Sequence, residues 1–159
     1  MIVYTTIDSP LGAILLAATD NGLMGTWFEG QRYYPHIADD WQTVNQHPLL
    51  DAAREQLADY FAGQRDRFDL PLAPKGTLFQ QRVWQVLQTI PYGDTTTYGA
   101  LAQQLGQPTA SRAVGSAVGR NPLSVIVPCH RAVGANGSLT GYAGGLDRKR
   151  HLLTLERSP

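Results

Sequence analysis

Residues 97–119 run Thr97-Tyr98-Gly99-Ala100-Leu101-Ala102-Gln103-Gln104-Leu105-Gly106-Gln107-Pro108-Thr109-Ala110-Ser111-Arg112-Ala113-Val114-Gly115-Ser116-Ala117-Val118-Gly119. Thr97 is placed to cap a short helix from Tyr98 to Leu105, which Gly106 ends. After Gln107-Pro108, either Thr109 or Ser111 can cap a further helix to about Gly119. Two short helices joined by a tight Gly/Pro turn are helix-turn-helix material, and an ordinary helical hairpin in a core has the same spacing. The second helix is nearly stripped of side chain and carries one long cation, Arg112, in its first turn. A helix that reads the major groove presents several Asn, Gln, Arg or Lys side chains, whereas small residues suit a minor groove only ~6 Å wide. Its first N–H groups, with the helix dipole, suit a phosphate. Close helix packing through Ala and Gly competes with this reading. The lone Arg112 favours nucleic acid, because a core-facing helix gains little from it.

The next informative stretch is Ile126-Val127-Pro128-Cys129-His130-Arg131, which holds the only cysteine. The short apolar run predicts a strand that Pro128 breaks, turning Cys129 outward. A thiol of ordinary pKa, ~8.5, is only a few per cent thiolate at neutral pH, so nucleophilic chemistry needs a proton acceptor beside it. His130 is the candidate base, and the expectation is a sulfur ionised by that imidazole. Adjacent residues on a regular strand point to opposite faces, so contact requires the break at Pro128 or a bridging water. A free cysteine packed as a small hydrophobe is the plainer alternative.

The chain has 159 residues, 43% hydrophobic and 16% charged, with formal net charge zero. That suits one ordinary domain or two small ones, and not a disordered protein. One cysteine excludes an internal disulfide, and no Cys-x-x-Cys offers a zinc site. The N-terminus lacks a signal-peptide pattern and no apolar run reaches membrane-spanning length, so a reduced cytoplasmic setting without membrane contact is expected. The charge is unevenly spread. Residues 1–76 carry five Lys/Arg against ten Asp/Glu, and residues 77–159 carry eight against three. A basic second half suggests a polyanion partner, or simply a solvated face.

Residues 1–30 alternate loosely and predict two or three antiparallel strands, with Asn21-Gly22 as a hairpin turn. Residues 31–46 show no period. Pro48 opens a helix with an apolar stripe of Leu49, Leu50, Ala53, Leu57, Tyr60 and Phe61, stopped by Gly63. The Pro/Gly-rich segment 70–76, where the charge changes sign, marks a boundary between parts 1–72 and 76–159. Thr77-Leu78-Phe79-Gln80 is a capping box for a helix that turns Phe79, Val83, Val86/Leu87 and Ile90 inward. Gly134-Ala135-Asn136-Gly137 predicts a hairpin turn between two extended runs, the shape of a wing. A last helix spans Leu146 to Glu156, with Arg148-Lys149-Arg150 on its wet face. Glu156 is the carboxylate able to orient a base, or a plain surface glutamate. Asn121-Pro122 can lock the loop before the cysteine, or form an ordinary turn.

Taken together, Ser111-Arg112-Ala113-Val114-Gly115, Asn121-Pro122, Pro128-Cys129-His130-Arg131, Gly141-Tyr142-Ala143-Gly144-Gly145 and Leu152-Leu153-x-Leu155-Glu156 resemble the O6-alkylguanine-DNA alkyltransferase family. The likeness is dense from about Thr77 to Glu156 and looser before it. It implies an α/β (α+β) chain: a small N-terminal ribonuclease-H-like sheet-plus-helix domain and a C-terminal winged helix-turn-helix domain carrying the cysteine.

The resemblance also implies roles. Cys129 matches the alkyl acceptor, His130 the residue taking its proton through a water, and Glu156 the carboxylate orienting that imidazole. Asn121 matches the hinge residue, and Tyr98 a tyrosine that crowds the rotating phosphate and hydrogen-bonds the flipped base. Arg112, among Ser111, Ala113 and Gly115 on the minor-groove helix, matches the arginine filling the gap left by the extruded guanine. Val133, Tyr142, Ala143, Gly144 and Gly145 match the pocket around that base. Ala143 stands where several relatives have Ser, and the N-terminal cysteines with which some bind zinc are absent, so no metal or cofactor is expected. The implied partner is double-stranded DNA containing O6-alkylguanine, met by a monomer whose cooperative clustering stays open. A damaged base must be flipped to reach a protein thiol. With no second thiol to resolve the thioether, each molecule acts once. A non-catalytic damage-binding relative and a Cys/His hydrolase are the competing classes; the first replaces the cysteine and the second needs an acyl substrate.

Overall fold

The computed structural model describes residues 1–157, so the last two residues of the expected second part lie outside the described residues. Strands β1 (Val3–Ile7), β2 (Ile14–Thr19), β3 (Gly22–Phe28) and the short β4 (Gln42–Thr43) form one sheet in the order β3-β2-β1-β4. The first three are antiparallel, and β4 runs parallel to β1. Thr19 pairs with Gly22, so the hairpin loop is Asp20-Asn21, one residue earlier than expected. Gly22 instead opens β3 at φ 148°, where a Cβ would sit 2.8 Å from the Pro71 carbonyl oxygen.

Both faces of this sheet are covered. On one, Ile14, Leu16, Ala18 and Phe28 meet helix α1 (Pro48–Phe61) through Leu50, Ala53, Leu57 and Tyr60, the stripe the sequence predicts. His47 caps that helix by accepting the Leu50 N–H, and Gly63 leaves it at φ 75°. On the other face, Leu15, Ala17, Met24 and Trp27 are covered by Ile2, Tyr4, Ile37 and Trp41. The aperiodic stretch 31–46 thus serves as a cover: its apolar residues follow the contour of a sheet and not a helical or strand period. The boundary segment is also no free linker. Leu23 and Ala73 donate backbone bonds to the carbonyls of Pro71 and Leu23 respectively, docking residues 71–73 along β3.

Thr77 and Gln80 complete the expected capping box on α2 (Leu78–Leu87), which buries Val83, Trp84 and Leu87. The helix pair follows as α3 (Tyr98–Gln104), capped by Thr97, and α4 (Ser111–Gly119). Neither Thr109 nor Ser111 caps α4. Its cap position is Ala110, with no side-chain bond, so its first N–H groups stay open. Val114, Ala117 and Val118 face inward, while Ser111, Arg112 and Ala113 are exposed. Trp84 donates its indole N–H to the Ala117 carbonyl at 2.8 Å and ties α4 to α2.

Two further expectations change. The turn at residues 134–137 forms, closed by Gly137 N–H to the Gly134 carbonyl. Of the runs flanking it, Ala132–Val133 forms a short strand that pairs in parallel with Thr96–Thr97; in chain order these are β6 and β5. The run after the turn forms no strand. Of Arg148-Lys149-Arg150 on helix α5 (Leu146–Arg157), only Arg150 stays on a wet face. Lys149 is fully buried, donating to the carbonyls of Ala132 and Thr140 at 2.6 and 2.8 Å. Arg148 lies over the Phe28 ring and donates to the carbonyls of Leu11, Gly144 and Glu29. One buried cluster runs from the sheet and α1 through α2, α3 and α4 to α5. The two halves therefore share a core. No helix among the described residues is long and apolar enough to cross a membrane.

Candidate active site

Pro128 shapes the nucleophile's turn. With Pro128 at φ −79° and ψ 63°, the Cys129 N–H donates to the Val127 carbonyl at 2.7 Å, an inverse γ-turn centred on the proline. The chain does break before Cys129 as expected, but what it ends is no strand. Residues 123–127 form a buried turn in which Val127 N–H reaches back to the Leu123 carbonyl and Val125 sits at φ 74°. A β-branched residue in that region is strained and persists only where its neighbours over-determine it. Here Asn121 does so: its Nδ2 donates to the carbonyls of Val127 and Leu123, and its Oδ1 accepts the Leu123 N–H. Strand β3 adds a second clamp, since Thr26 bonds Pro122 and Ser124 through its backbone and hydroxyl.

Cys129, His130 and Arg131 then form one turn of 3-10 helix. Cys129 is 4% exposed, so it is not turned outward. Burial pushes its thiol up to about 11, against the opposing influence of the Asn121 amide and the Lys149 ammonium. The sulfur is therefore a thiol that must give up its proton before it reacts. His130 is wholly buried, and that burial holds its pKa below the usual value despite Glu156. Its Nε2 lies 2.6 Å from Glu156 Oε2, while Nδ1 is buried without a partner. Because an ionised carboxylate can only accept, Nε2 carries the hydrogen and Nδ1 the lone pair.

Glu156 is no surface glutamate. It is 4% exposed and accepts from His130, from Arg131 Nε at 2.7 Å and Nη2 at 3.0 Å, and from the Tyr60 hydroxyl. Burial alone would raise its carboxyl, but these donors outweigh it and hold it at about 2. Arg131 is fixed in turn by the Ile90 carbonyl at 2.6 Å.

Of the expected pocket residues, Tyr142 is the one brought beside the thiol. Tyr142 has its hydroxyl buried without a hydrogen bond, near Ser124 and close enough to Cys129 for the sulfur's charge to act on it. Gly144 carries no Cβ because one would fall 2.5 Å from the Tyr142 ring, and Gly145 turns the chain at φ 95°. Ala143 is held by its carbonyl, which accepts Arg32 N–H at 2.8 Å, and Val133 is buried in β6. The Tyr98 hydroxyl donates to the Thr140 carbonyl and its ring faces Gly115, while Arg112 is exposed and forms no ion pair among the described residues. Sequence reasoning missed Tyr60, Arg131 and Lys149 as parts of the site. A buried phenol needs a partner for its hydroxyl, the one signal that could have found Tyr60; the other two are cations whose burial no local pattern announces.

A thiol, an imidazole and a buried carboxylate beside a small-residue helix pair define a protein that uses cysteine as a nucleophile. Models of two domains match the chain: 6-O-methylguanine DNA methyltransferase, ribonuclease-like domain, over residues 2–74, and 6-O-methylguanine DNA methyltransferase, DNA binding domain, over residues 78–158. A methylated-DNA–protein-cysteine methyltransferase of Mycolicibacterium paratuberculosis is 52% identical, covering 99% of this chain and 93% of its own length. A protein of the same name from Methanosarcina acetivorans is 50% identical, with 98% of both chains covered. The crystal structure of Mycobacterium tuberculosis OGT in complex with DNA superposes with a TM-score of 0.89 at 48% identity, over 98% of this chain and 92% of that one. The chain belongs to the 6-O-methylguanine DNA methyltransferase family.

Proposed function

We propose that this chain repairs O6-alkylated guanine in double-stranded DNA by moving the alkyl group onto its own Cys129, once per molecule. The observation that carries the reading is His130: Nε2–H is committed to Glu156, and Nδ1 is buried with a free lone pair in the same turn as the thiol. Relatives about half identical over nearly the full chain are named for this activity, and one related structure holds DNA.

The duplex meets α4 from the minor groove. Small side chains at Ser111, Ala113 and Gly115 allow close approach, the uncapped N–H groups of α4 take a phosphate, and Arg112 fills the gap left by the flipped guanine. The base enters the pocket of Val133, Tyr142, Ala143, Gly144 and Gly145, with Tyr98 beside it. Closure of the pocket by the base brings the reacting atoms together, and the thiol proton passes through one water to His130 Nδ1. Glu156, held ionised, stabilises the imidazolium that forms. The Cys129 sulfur then forms its bond to the alkyl carbon as the carbon–O6 bond breaks. The electron pair leaves on guanine, whose ring takes a proton from the Tyr98 hydroxyl, and solvent restores Tyr98. The product is a thioether that no second thiol resolves. A neutral resting thiol, raised by burial, protects the sulfur until a base is seated.

The reading fits a monomer acting in a reducing, cytoplasmic setting on O6-alkylguanine, with parts 1–72 and 76–159 as support and reactive half. Binding without repair is the alternative, and it leaves the thiol and its His–Glu pair without a task. The test is an oligonucleotide duplex with one O6-methylguanine. The native protein restores guanine, while Cys129→Ser retains the duplex and restores none. Guanine restored by Cys129→Ser would overturn the acceptor, and no restoration by the native protein would overturn the function.

A further inference from the structure

The loop after β3 holds a charge arrangement the reaction does not use. The Arg32 and Arg120 guanidiniums lie 5.0 and 4.5 Å from the centroid of one ring, that of Tyr33. Lys75 lines the same shallow hollow of about 240 Å³, with Tyr33, Arg120 and Pro122. None of these three cations forms an ion pair among the described residues. Two of the three belong to residues 1–76, where acidic side chains outnumber basic ones two to one. A cation at a helix C-terminus is ordinary, since it meets the dipole, and that accounts for Arg120 alone.

The loop is held rigidly outward. Tyr33 sits at φ 61° with 43% of its surface exposed, a conformation an aromatic residue keeps only under constraint. The constraints flank it. Gln31 is buried, accepting from the Phe28 N–H and the Ser124 hydroxyl, and Arg32 N–H donates to the Ala143 carbonyl. The loop is thereby fixed between the pocket wall at Ala143 and the end of α4. Arg112 and Ser116 on α4 and Arg120 at its C-cap recur at intervals of four residues, so they line up along one side of the helix. Eight residues of helix place Arg120 about 12 Å beyond Arg112 along the axis. That is the length of roughly three to four base-pair steps.

We propose that Arg32, Tyr33 and Arg120 form a second contact with the phosphate backbone of the same duplex, flanking the lesion, through which the N-terminal half helps to bind DNA. This inference rests on the proposed function for its partner. Tyr33 is the platform: it holds two guanidiniums apart from any carboxylate and leaves their N–H donors to a phosphate.

The experiment measures binding of Cys129→Ser protein to duplex with and without one O6-methylguanine across a salt series, by fluorescence anisotropy. Adding Arg32→Gln and Arg120→Gln lowers the slope of log affinity against log salt by about 0.9 for each phosphate no longer neutralised, ~1.8 in all. It does so on both duplexes. An unchanged slope overturns the proposal. With Cys129 intact, the double variant is alkylated by free O6-methylguanine base as fast as the native protein, because the free base has no phosphate. A matching fall in that rate would mean damage to the pocket and would overturn the proposal too. If the double variant does not fold, Arg32→Gln alone decides, with an expected fall in slope of about 0.9. Failure of the native protein to restore guanine strikes the repair reading and not this contact, which the unmodified duplex still reports.

Discussion

The Tyr60 hydroxyl, on a helix of the N-terminal half, donates to the same Glu156 oxygen that lies 2.6 Å from His130 Nε2. The half that carries no reacting atom thus helps to hold the carboxylate that orients the base. Tyr60→Phe removes that donor and keeps the ring against Phe61, Phe68 and Tyr92. The expected loss of stability is about 1–2 kcal/mol by urea denaturation. The alkylation rate should also fall, with its acid limb moved to higher pH.

Acid should unfold the protein through Glu156 and His130 together. The Glu156 carboxyl lies at about 2 in the fold against an ordinary 4.5, so its contribution is present above pH 4.5 and is lost as pH falls toward 2. That shift corresponds to about 3 kcal/mol. His130 is held below its ordinary 6.5, so the unfolded chain binds its proton first and stability starts to fall below that pH. On the alkaline side two shifts oppose each other. Lys149, lowered to about 8 by burial, favours folding as pH rises from 8 to 10.5, whereas Cys129, raised to about 11, disfavours it between 9 and 11. Urea midpoints taken across pH should decline steeply from 6.5 downward, rise modestly between 8 and 9, and change little from 9 to 10. A flat acid limb would contradict the buried His–Glu pair.

Asn121→Ala strips three hydrogen bonds from the turn that keeps Val125 at φ 74°. Freed of them, the turn should relax and carry Cys129 out of register with His130. Amide exchange at Leu123 and Val127 should quicken, and transfer should slow by more than binding to DNA weakens. Equal losses in the two would assign Asn121 to the interface instead.

Arg112→Ala tests the minor-groove helix. Its side chain is exposed and forms no ion pair among the described residues, so reaction with free base should persist while repair of duplex falls. Parallel rate measurements on both substrates check this, and matching falls would remove the arginine from base flipping.

Local chemistry is legible wherever a few neighbouring residues decide the outcome. The Thr77–Gln80 capping box, the Pro48 helix start, the stripe from Leu50 to Tyr60 and the break at Pro128 all rest on interactions within one or two turns. The Cys129–His130 adjacency and the distant Glu156 are legible through the family pattern. What escapes a linear reading depends on partners far along the chain. Tyr60 meets Glu156 across 96 residues, and Lys149 finds its carbonyls only once the loop over 132–140 is in place. Residues 123–127 resemble a strand in apolar content but are bent by Asn121 and Thr26. An apolar run states that it is buried, and its partners decide the backbone path.

In the proposed reaction one sulfur, unmasked by its imidazole when a flipped guanine fills the pocket, keeps the alkyl group for good. Intact-protein mass spectrometry after incubation with excess duplex carrying O6-methylguanine, followed by peptide mapping, puts this to the test. A single methyl group should replace the Cys129 thiol hydrogen on every chain, with no second turnover. Guanine restored beyond one equivalent per chain, or a methyl group found at any other residue, would refute it.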